Sequence, residues 1–579
     1  MLININTFTG MIPKLAPRLL PDTAAQTATN IKMVSGNLKP WLIPLSVATP
    51  SKGGTKTSIY KVHSDGTDYW LHWVNYDVNV CESPIANDDF VRIYWTGDGV
   101  PKMAPLSVAI SGGTGYPVAS YALGIPAPES SPTITVVTPT AYSAMATYAI
   151  NDLCTYETKI YQCITTISVA EAWTAAHWQS PDPILIESRA YVVTYVSAYG
   201  EEGPPCNPTI PKDVVAGQQV DITDMPSAPN GNYNVTQKRL YRTNTGTSTT
   251  EYQLVATLAV GNDEYNDILA NTDLVEVLPS TTWDPPLYDL AGLIVLPNGC
   301  FAGFSGKVFC MSVPYMPHAW PTEYQIVVAD PIVGLGAYGT SVLITTEGAP
   351  YIATGSDPAA MTIERLEEGY ACTSKRGIVD MGYSIVYPTP FGLMSAGVGG
   401  VGLATKDIFS KADWLALSPS TMDGYHYAGN YFGFSDTASF MFNPQNGTYV
   451  TLGTGLVASS PTAGYHDPET GEFYLLIGGV IYQWDAGATA ASLTWKSKPF
   501  VAPYPVNFGA AQVSADTYTS LTCKFYADGV LKLTQTVANA NPFRLPGGFR
   551  ATVWEIEISG VNVVNQVSLG STMADLAQT

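Results

Sequence analysis

The sequence predicts an all-β protein of several domains, with a β-propeller platform and β-sandwiches. In one segment, Tyr191, Val193 and Tyr195 alternate with Val192, Thr194 and Val196, and this period of two is typical of a strand with two faces. Charged residues make up 13% of the chain, well below the usual ~25%. The 51 glycines and 43 prolines supply turn formers. Together these features indicate short strands that are joined by tight loops and bury much of their surface.

Length and net charge limit the number of domains and the classes of function. A chain of 579 residues is too long for one core and should hold roughly three to five domains. Its formal net charge of −21 excludes a surface that grips nucleic acid by neutralising phosphates. An acidic wall is compatible with nucleic acid that passes without sticking, because like charges repel. Solubility alone is the alternative explanation of the acidity.

Residues 1–129 are predicted to contain a short helix and the first propeller strands. Asp22 is suited to an N-cap position, and Ala24, Ala25 and Ala28 favour a helix that residues 35–37 would end. The first ten residues lack the pattern of a signal peptide, so we expect a protein that is made and used without classical secretion. Because no apolar stretch approaches the ~20 residues of a membrane span, no membrane-spanning segment is expected.

Residues 130–139 and 184–275 are predicted to form one β-sandwich. Its strand signals are Thr133–Val137, Glu187–Ser197, Lys238–Asn244 and Glu251–Ala256, with a turn at Tyr199–Pro204. This strand and turn pattern resembles a fibronectin type III-like domain. The resemblance implies an adaptor module with no chemistry of its own.

Residues 140–183 are rich in aromatic residues and are predicted to be a mini-domain inserted into that sandwich. The segments Tyr148–Tyr156 and Lys159–Cys163, followed by two tryptophans, resemble the small chitin-binding modules of chitinases, although Asn151 and Thr158 replace two of their glycines. Flat sugar faces stack on exposed aromatic rings. The candidate glycan-binding residues are therefore Tyr156, Tyr161 and Trp173. The alternative is that these rings form the core of a forty-residue module.

Cys154 and Cys163 are the one notable pair among eight cysteines. A hairpin centred between Thr158 and Lys159 would place the two sulfurs on directly opposed positions. The two sulfurs could touch there, although eight cysteines in 579 residues are too few for a disulfide-stapled secreted scaffold.

Residues 276–488 contain hairpins that recur about every 40 to 50 residues, which is typical of propeller blades. Residues 50–110 would add one or two blades. Residues 489–579 contain four further strand signals and are predicted to form a C-terminal β-sandwich.

The search for catalytic and metal-binding motifs is negative. The six histidines are far apart in sequence, and no metal-ligand spacing, nucleophile elbow or phosphate loop is present. Adjacent or nearly adjacent carboxylates occur at 65/68, 88/89, 201/202 and 367/368. Neighbouring side chains along a strand point to opposite faces of the sheet, which argues against general acid and base catalysis by such a pair. The sequence therefore predicts no enzyme, no metal site and no cofactor.

Taken together, several segments resemble the nozzle (tail tubular) proteins of short-tailed bacteriophages. They are Pro13–Trp41, Pro331–Gly336, Tyr351–Pro358, Ser374–Val379 and Pro542–Gly547. The resemblance implies a virion tail protein that is assembled in the host cytoplasm and forms a ring, usually a hexamer, below the head-to-tail adaptor proteins. Because that cytoplasm is reducing, Cys154 and Cys163 are expected to be thiols. It further implies an enclosed DNA exit channel, without sequence-specific DNA binding, and docking surface for tail fibre or spike proteins. Two alternatives stay open: a surface adhesin that binds glycans, and a propeller glycosidase.

Overall fold

The computed structural model describes residues 2–180, 186–245, 250–367 and 369–576, and its regular structure is almost entirely β. The prediction of an all-β fold is confirmed. The α-helices in these ranges are short: α1 Leu106–Ala109, α2 Lys411–Leu415 and α3 Met573–Leu576. Single 3-10 turns lie at Pro17–Leu19, Ala175–His177, Asn271–Asp273, Thr322–Tyr324, Pro358–Ala360, Lys375–Gly377 and Pro419–Thr421.

The N-terminal segment forms strands where a helix was predicted. Its strands are β1 Leu2–Ile5, β2 Ala25–Thr29, β3 Ile31–Lys32, β4 Lys39–Pro40 and β5 Leu45–Ala48. The helix prediction over residues 22–35 is wrong, because Ala25 and Ala28 are buried within a sheet and β2 pairs with strands on both of its edges. Alanine's helix preference is worth less than about 1 kcal/mol per residue, and a helix this short is marginal alone, so tertiary pairing decides.

Two sheets follow the N-terminal segment. Their strands are β6 Lys56–Ser64, β7 Thr67–Val74, β8 Asn79–Glu82, β9 Arg92–Thr96, β10 Lys102–Pro105 and β11 Tyr121–Ala122. β6 and β7 form a long hairpin, and β8 to β11 form a four-stranded antiparallel sheet. Trp73 of the hairpin packs on Trp95 of the next sheet, which joins the two.

A β-sandwich and a small module interrupt the series of sheets. The strands are β12 Thr133–Val136, β13 Leu153–Tyr156, β14 Lys159–Cys163, β15 Trp178–Gln179, β16 Ile186–Arg189, β17 Tyr191–Ser197, β18 Lys212–Val215, β19 Val220–Thr223, β20 Val235–Thr245, β21 Thr250–Ala259 and β22 Tyr265–Asp267. The sandwich packs the sheet β17-β20-β21 on the sheet β12-β19-β22, and β13 to β15 form the small module. The predicted boundary at 183/184 lies outside the described residues.

The strands after the sandwich are β23 Ala291–Val295, β24 Phe301–Ser305, β25 Val308–Met311, β26 Ile326–Val327, β27 Ile332–Tyr338, β28 Ser341–Thr346, β29 Tyr351–Thr354, β30 Thr362–Arg365, β31 Val379–Asp380, β32 Ser384–Thr389, β33 Gly392–Gly397, β34 Gly400–Leu403, β35 Asp423–Tyr427, β36 Asn430–Phe434, β37 Ser439–Phe442, β38 Tyr449–Thr451, β39 Ala463–His466, β40 Phe473–Ile477 and β41 Val480–Gln483. They form five antiparallel sheets, and β5 from the N-terminus pairs with β41 as the fourth strand of the last one.

The first strands of seven sheets contact one another in a closed order among the described residues. The order is β6, β8, β23, β27, β31, β35 and β39, and β39 contacts β6 again. This is the arrangement of a seven-bladed propeller around a central axis. Blades 1 and 2 precede the sandwich, so the predicted propeller range 276–488 holds blades 3 to 7.

The C-terminal strands are β42 Leu493–Ser497, β43 Phe500–Val506, β44 Ala510–Ala515, β45 Leu521–Ala527, β46 Val530–Thr536, β47 Phe543–Arg544, β48 Ala551–Gly560 and β49 Val564–Gly570. They form a second sandwich with help from the N-terminus: β1 pairs with β49, and β2 pairs with β42. The predicted range 489–579 therefore lacks two strands of its own sandwich. Trp495 and Trp554 are buried in its core.

Candidate functional site

The inserted module is built on one tight hairpin. β13 and β14 are joined by Glu157 and Thr158, which both adopt positive φ (48° and 68°). Two successive residues of this kind form the mirror-image turn that matches the twist of a two-stranded hairpin. Because the turn lies at these two residues, Tyr156 is paired with Lys159.

This register corrects the expected position of the two cysteines. Cys154 is paired with Tyr161, so Cys163 lies diagonally across the hairpin from Cys154 rather than directly opposite. Both side chains are fully buried, and both are free thiols. Burial, with a smaller effect of the neighbouring Cys163, raises the pKa of Cys154 to about 11. A thiol with such a pKa carries little thiolate near neutral pH and is a poor nucleophile.

The structure brings the three predicted aromatic residues together. Tyr156 stacks on Trp173 with ring centroids 4.0 Å apart and planes within 3°, and Tyr161 contacts Trp173 edge-on at 5.0 Å. Trp173 is also parallel to the buried Trp178, at 5.4 Å. All three predicted residues are half-buried. The cluster therefore serves as packing and, at the same time, leaves aromatic surface accessible beside Tyr156.

Tyr142 is the member of this cluster that the sequence analysis did not identify. Its ring is perpendicular to Tyr156, Trp173 and Trp178, and its hydroxyl donates a hydrogen bond to the Glu171 carbonyl at 2.8 Å. Desolvation, followed by Glu171, raises the pKa of this tyrosine. Tyr142 lies just after residue 140, where the module was predicted to begin, and this position was the sequence signal that could have identified it.

The second notable region is the propeller axis, where Arg376 connects four blades. Its side chain lies at the start of blade 5 and donates to the Thr57 carbonyl of blade 1 at 2.9 Å and to the Thr462 carbonyl beside blade 7 at 3.1 Å. It also forms an ion pair with Asp423 of blade 6 at 3.1 Å. Burial outweighs this pairing and raises the pKa of Asp423 to about 6. Arg376 thus links blade 5 to blades 1, 6 and 7 by polar contacts.

The carboxylates considered for catalysis serve mostly as structural partners. Asp88 and Glu201 both pair with Arg92, at 2.8 and 3.3 Å. Glu202 accepts hydrogen bonds within the sandwich, including one of 2.9 Å from Arg239. Glu368 lies outside the described residues. Within the described ranges, no group of three or more His, Cys, Asp or Glu side chains is placed to hold a metal ion.

Two of the six histidines, His72 and His318, are buried, and His63 is exposed. His426 and His466, distant in sequence, have ring centroids 5.3 Å apart on the first strands of blades 6 and 7. Burial lowers the pKa of both. Burial, with Arg92 nearby, lowers the pKa of His318 to about 4, so its imidazole is neutral near pH 7. In the part of the chain that the structure describes, no helix is long and apolar enough to cross a membrane.

Comparisons with known proteins add little to this geometry. No family model matches the chain, and no curated protein matches it. Among solved structures, the BBS1N protein from a complex with ARL6DN aligns over 48% of this chain and 88% of its own, with 10% identity and a TM-score of 0.25. Apo AztD from Citrobacter koseri aligns over 65% of this chain and 99% of its own, with 10% identity and a TM-score of 0.24. Likenesses at this level carry no inference about function.

Proposed function

We propose that the protein is a structural subunit of a bacteriophage tail nozzle. In this role, copies of the chain form a ring, which is usually a hexamer in the family that the sequence resembles, below the head-to-tail adaptor proteins. The ring encloses the DNA ejection channel of the virion and offers docking surface to tail fibre or spike proteins.

The observation that supports this role most directly is the way in which β2 joins two modules. One edge of β2 pairs with β42 of the C-terminal sandwich, and the other pairs with β38 of blade 6. Side chains reinforce the second junction, where the hydroxyls of Thr29 and Thr451 lie 2.9 Å apart. A single sheet therefore runs through both modules. Separating them requires breaking backbone hydrogen bonds, which suits a conduit subunit that must keep its shape while DNA passes.

The charge balance is consistent with the same role. Each copy adds a formal charge of −21 to a ring. A channel lined with Asp, Glu and uncharged polar residues repels phosphates only near its wall, since the Debye length is ~8 Å at physiological salt. Dense rings of Lys and Arg would instead hold the DNA through phosphate contacts.

The test is the assembly state of the intact protein. Light scattering and electron microscopy of the purified chain, alone and with a head-to-tail adaptor ring, should reveal closed cyclic oligomers in at least one of the two samples. A protein that stays monomeric in both samples contradicts the proposal.

A second candidate function, glycan binding by the inserted module, is favoured by the exposed surface of Tyr156 stacked on Trp173. We would titrate the protein with an N-acetylglucosamine hexasaccharide, because the module resembles chitin-binding modules. Loss of one stacking ring is worth about 1 kcal/mol, so Tyr156→Ala should weaken binding roughly fivefold. Tyr504→Ala, which changes an exposed tyrosine of the C-terminal sandwich, is the matched control. No binding by the unaltered protein excludes this candidate.

A further inference from the structure

The first strands of the propeller border a pocket that the proposed function does not use. The cavity measures about 300 Å³ and lies between the first strands of blades 1, 2, 3 and 7. Arg376, which donates hydrogen bonds to the Thr57 and Thr462 carbonyls, borders a separate cavity of about 180 Å³. A volume near 300 Å³ is at the small end of the range for ligand pockets.

Two tyrosines form an aromatic corner in this pocket. The rings of Tyr60 and Tyr465 meet at 65° with centroids 5.0 Å apart. The Trp70 ring packs edge-on against the Tyr465 ring, with centroids 6.1 Å apart. Both tyrosine rings are half-buried, so part of each ring remains accessible. The electron-rich faces of such rings attract cations.

The charged groups around the pocket leave an excess of negative charge. Glu82, Asp467 and Glu469 line it. The Glu82 carboxylate accepts a hydrogen bond from the Tyr60 hydroxyl at 3.2 Å, and no cationic side chain of the described residues pairs with it. Desolvation, and then the neighbouring Glu469 and Asp467, raises the pKa of Glu82 against the effect of that hydrogen bond. A carboxylate in this situation is stabilised by an incoming cation.

The positive groups of the pocket are already engaged. Lys61 forms a 2.5 Å ion pair with Asp467 and lies 3.7 Å from Glu472. His63 contacts Asp68 at 2.7 Å. Neither group is therefore placed to neutralise Glu82.

We propose that this pocket binds an alkylammonium or guanidinium group, with the cation against the Tyr60 and Tyr465 rings and its hydrogen bonds on Glu82. Such a head group is present on a Lys or Arg side chain of a partner protein and also on a free amine. A metal ion is a poorer fit, because the described residues offer no cluster of three ligands here.

Calorimetric titration tests the proposal with four probes: N-acetyl-lysine amide, N-acetyl-arginine amide, putrescine and the uncharged N-acetyl-norleucine amide. At least one cationic probe should bind with a Kd of about 1 mM or tighter, and the uncharged probe should bind at least tenfold more weakly. Tighter binding of an amino acid amide than of putrescine identifies a partner side chain as the source, and the reverse identifies a free amine.

Two variants locate the site. Glu82→Gln removes one exposed charge and should weaken cation binding at least fivefold. Glu364→Gln, an exposed residue of the outer strand of blade 4, should leave it unchanged. Equal binding of the uncharged probe, no binding of any cation, or equal affinity of Glu82→Gln and the unaltered protein would each overturn the proposal.

Discussion

Replacing Asp467 with Asn should destabilise the propeller locally, around the junction of blades 7 and 1. The Nζ atom of Lys61 lies 2.5 Å from the Asp467 carboxylate, and each side chain is only 6% exposed. Removing one partner of a buried pair typically costs about 3–5 kcal/mol, because the other charge stays buried without compensation. Glu472 remains 3.7 Å from the ammonium group. We therefore expect a loss at the low end of that range, about 3 kcal/mol.

Native-state hydrogen exchange is the suitable assay, because unfolding of a multidomain chain is not two-state. The buried amides of β40, in blade 7, should exchange roughly 150-fold faster in Asp467→Asn, since each factor of ten corresponds to about 1.4 kcal/mol. Replacing Lys61 with Met in the same chain removes the unpaired charge and should restore most of the protection. An increase of less than about threefold in the single variant, or no recovery in the double variant, would refute the reasoning.

The pH dependence of this effect follows from both partners. Hydrogen bonds from Lys61 and the neighbouring turn hold the pKa of Asp467 below its ordinary value despite its burial. The contribution of Asp467 to stability is therefore present above its unfolded pKa of about 3.9 and is lost as the pH falls through the folded value. The pKa of Lys61 is raised, because hydrogen bonds to Asp467 and Tyr474 outweigh desolvation. Its contribution is full below about pH 10.4 and is lost above the folded value.

Three further predictions concern other parts of the chain. The folded pKa of Asp423, raised to about 6, means that stability falls as the pH rises from about 4 to 6, and Asp423→Asn should flatten that slope in thermal melts compared with the unaltered protein. Deleting residues from about 142 to 181 should leave the sandwich folded, as judged by circular dichroism and proteolysis. The reason is that the strands on either side of the insert reach the same turn: Val137 bonds to Gln219, and Ile186 pairs with Val215. An insoluble deletion variant would show the insert to be integral. Alkylation under denaturing, non-reducing conditions should add eight labels per chain, whereas a stoichiometric disulfide between the two cysteines of the insert would limit the mass increase to six.

Local patterns explain most of the success of the sequence analysis. The alternation in Tyr191–Ser197 marks a strand that is buried on both faces, and the blade hairpins depend on neighbouring residues in the chain. The aromatic cluster was also predictable, because its members lie within forty residues. The hairpin register was not, since Glu157 and Thr158 rarely adopt positive φ and give no turn signal of the Asn-Gly kind.

The features that the sequence analysis missed depend on partners at the other end of the chain. β2 contains two alanines, Ala25 and Ala28, that favour a helix in isolation, and only β42 and β38 make it a strand. The pocket that contains Tyr60 and Tyr465 collects residues from four blades that are distant in sequence. Hydrophobic periodicity and helix propensity carry no information about pairing between distant strands. The alanines therefore favoured a helix at residues 22–35, where the structure has a strand.

The turn at residues 199–204 illustrates how adjacent carboxylates can act on two modules at once. Glu201 points toward the propeller and pairs with Arg92 of blade 2, while Glu202 points into the sandwich and accepts hydrogen bonds from Thr194 and Tyr241. Both carboxylates are buried, so each needs its partner to offset the cost of desolvation. The two carboxylates that the sequence offered as a catalytic pair therefore have a structural consequence: one dipeptide links the sandwich to blade 2 of the propeller.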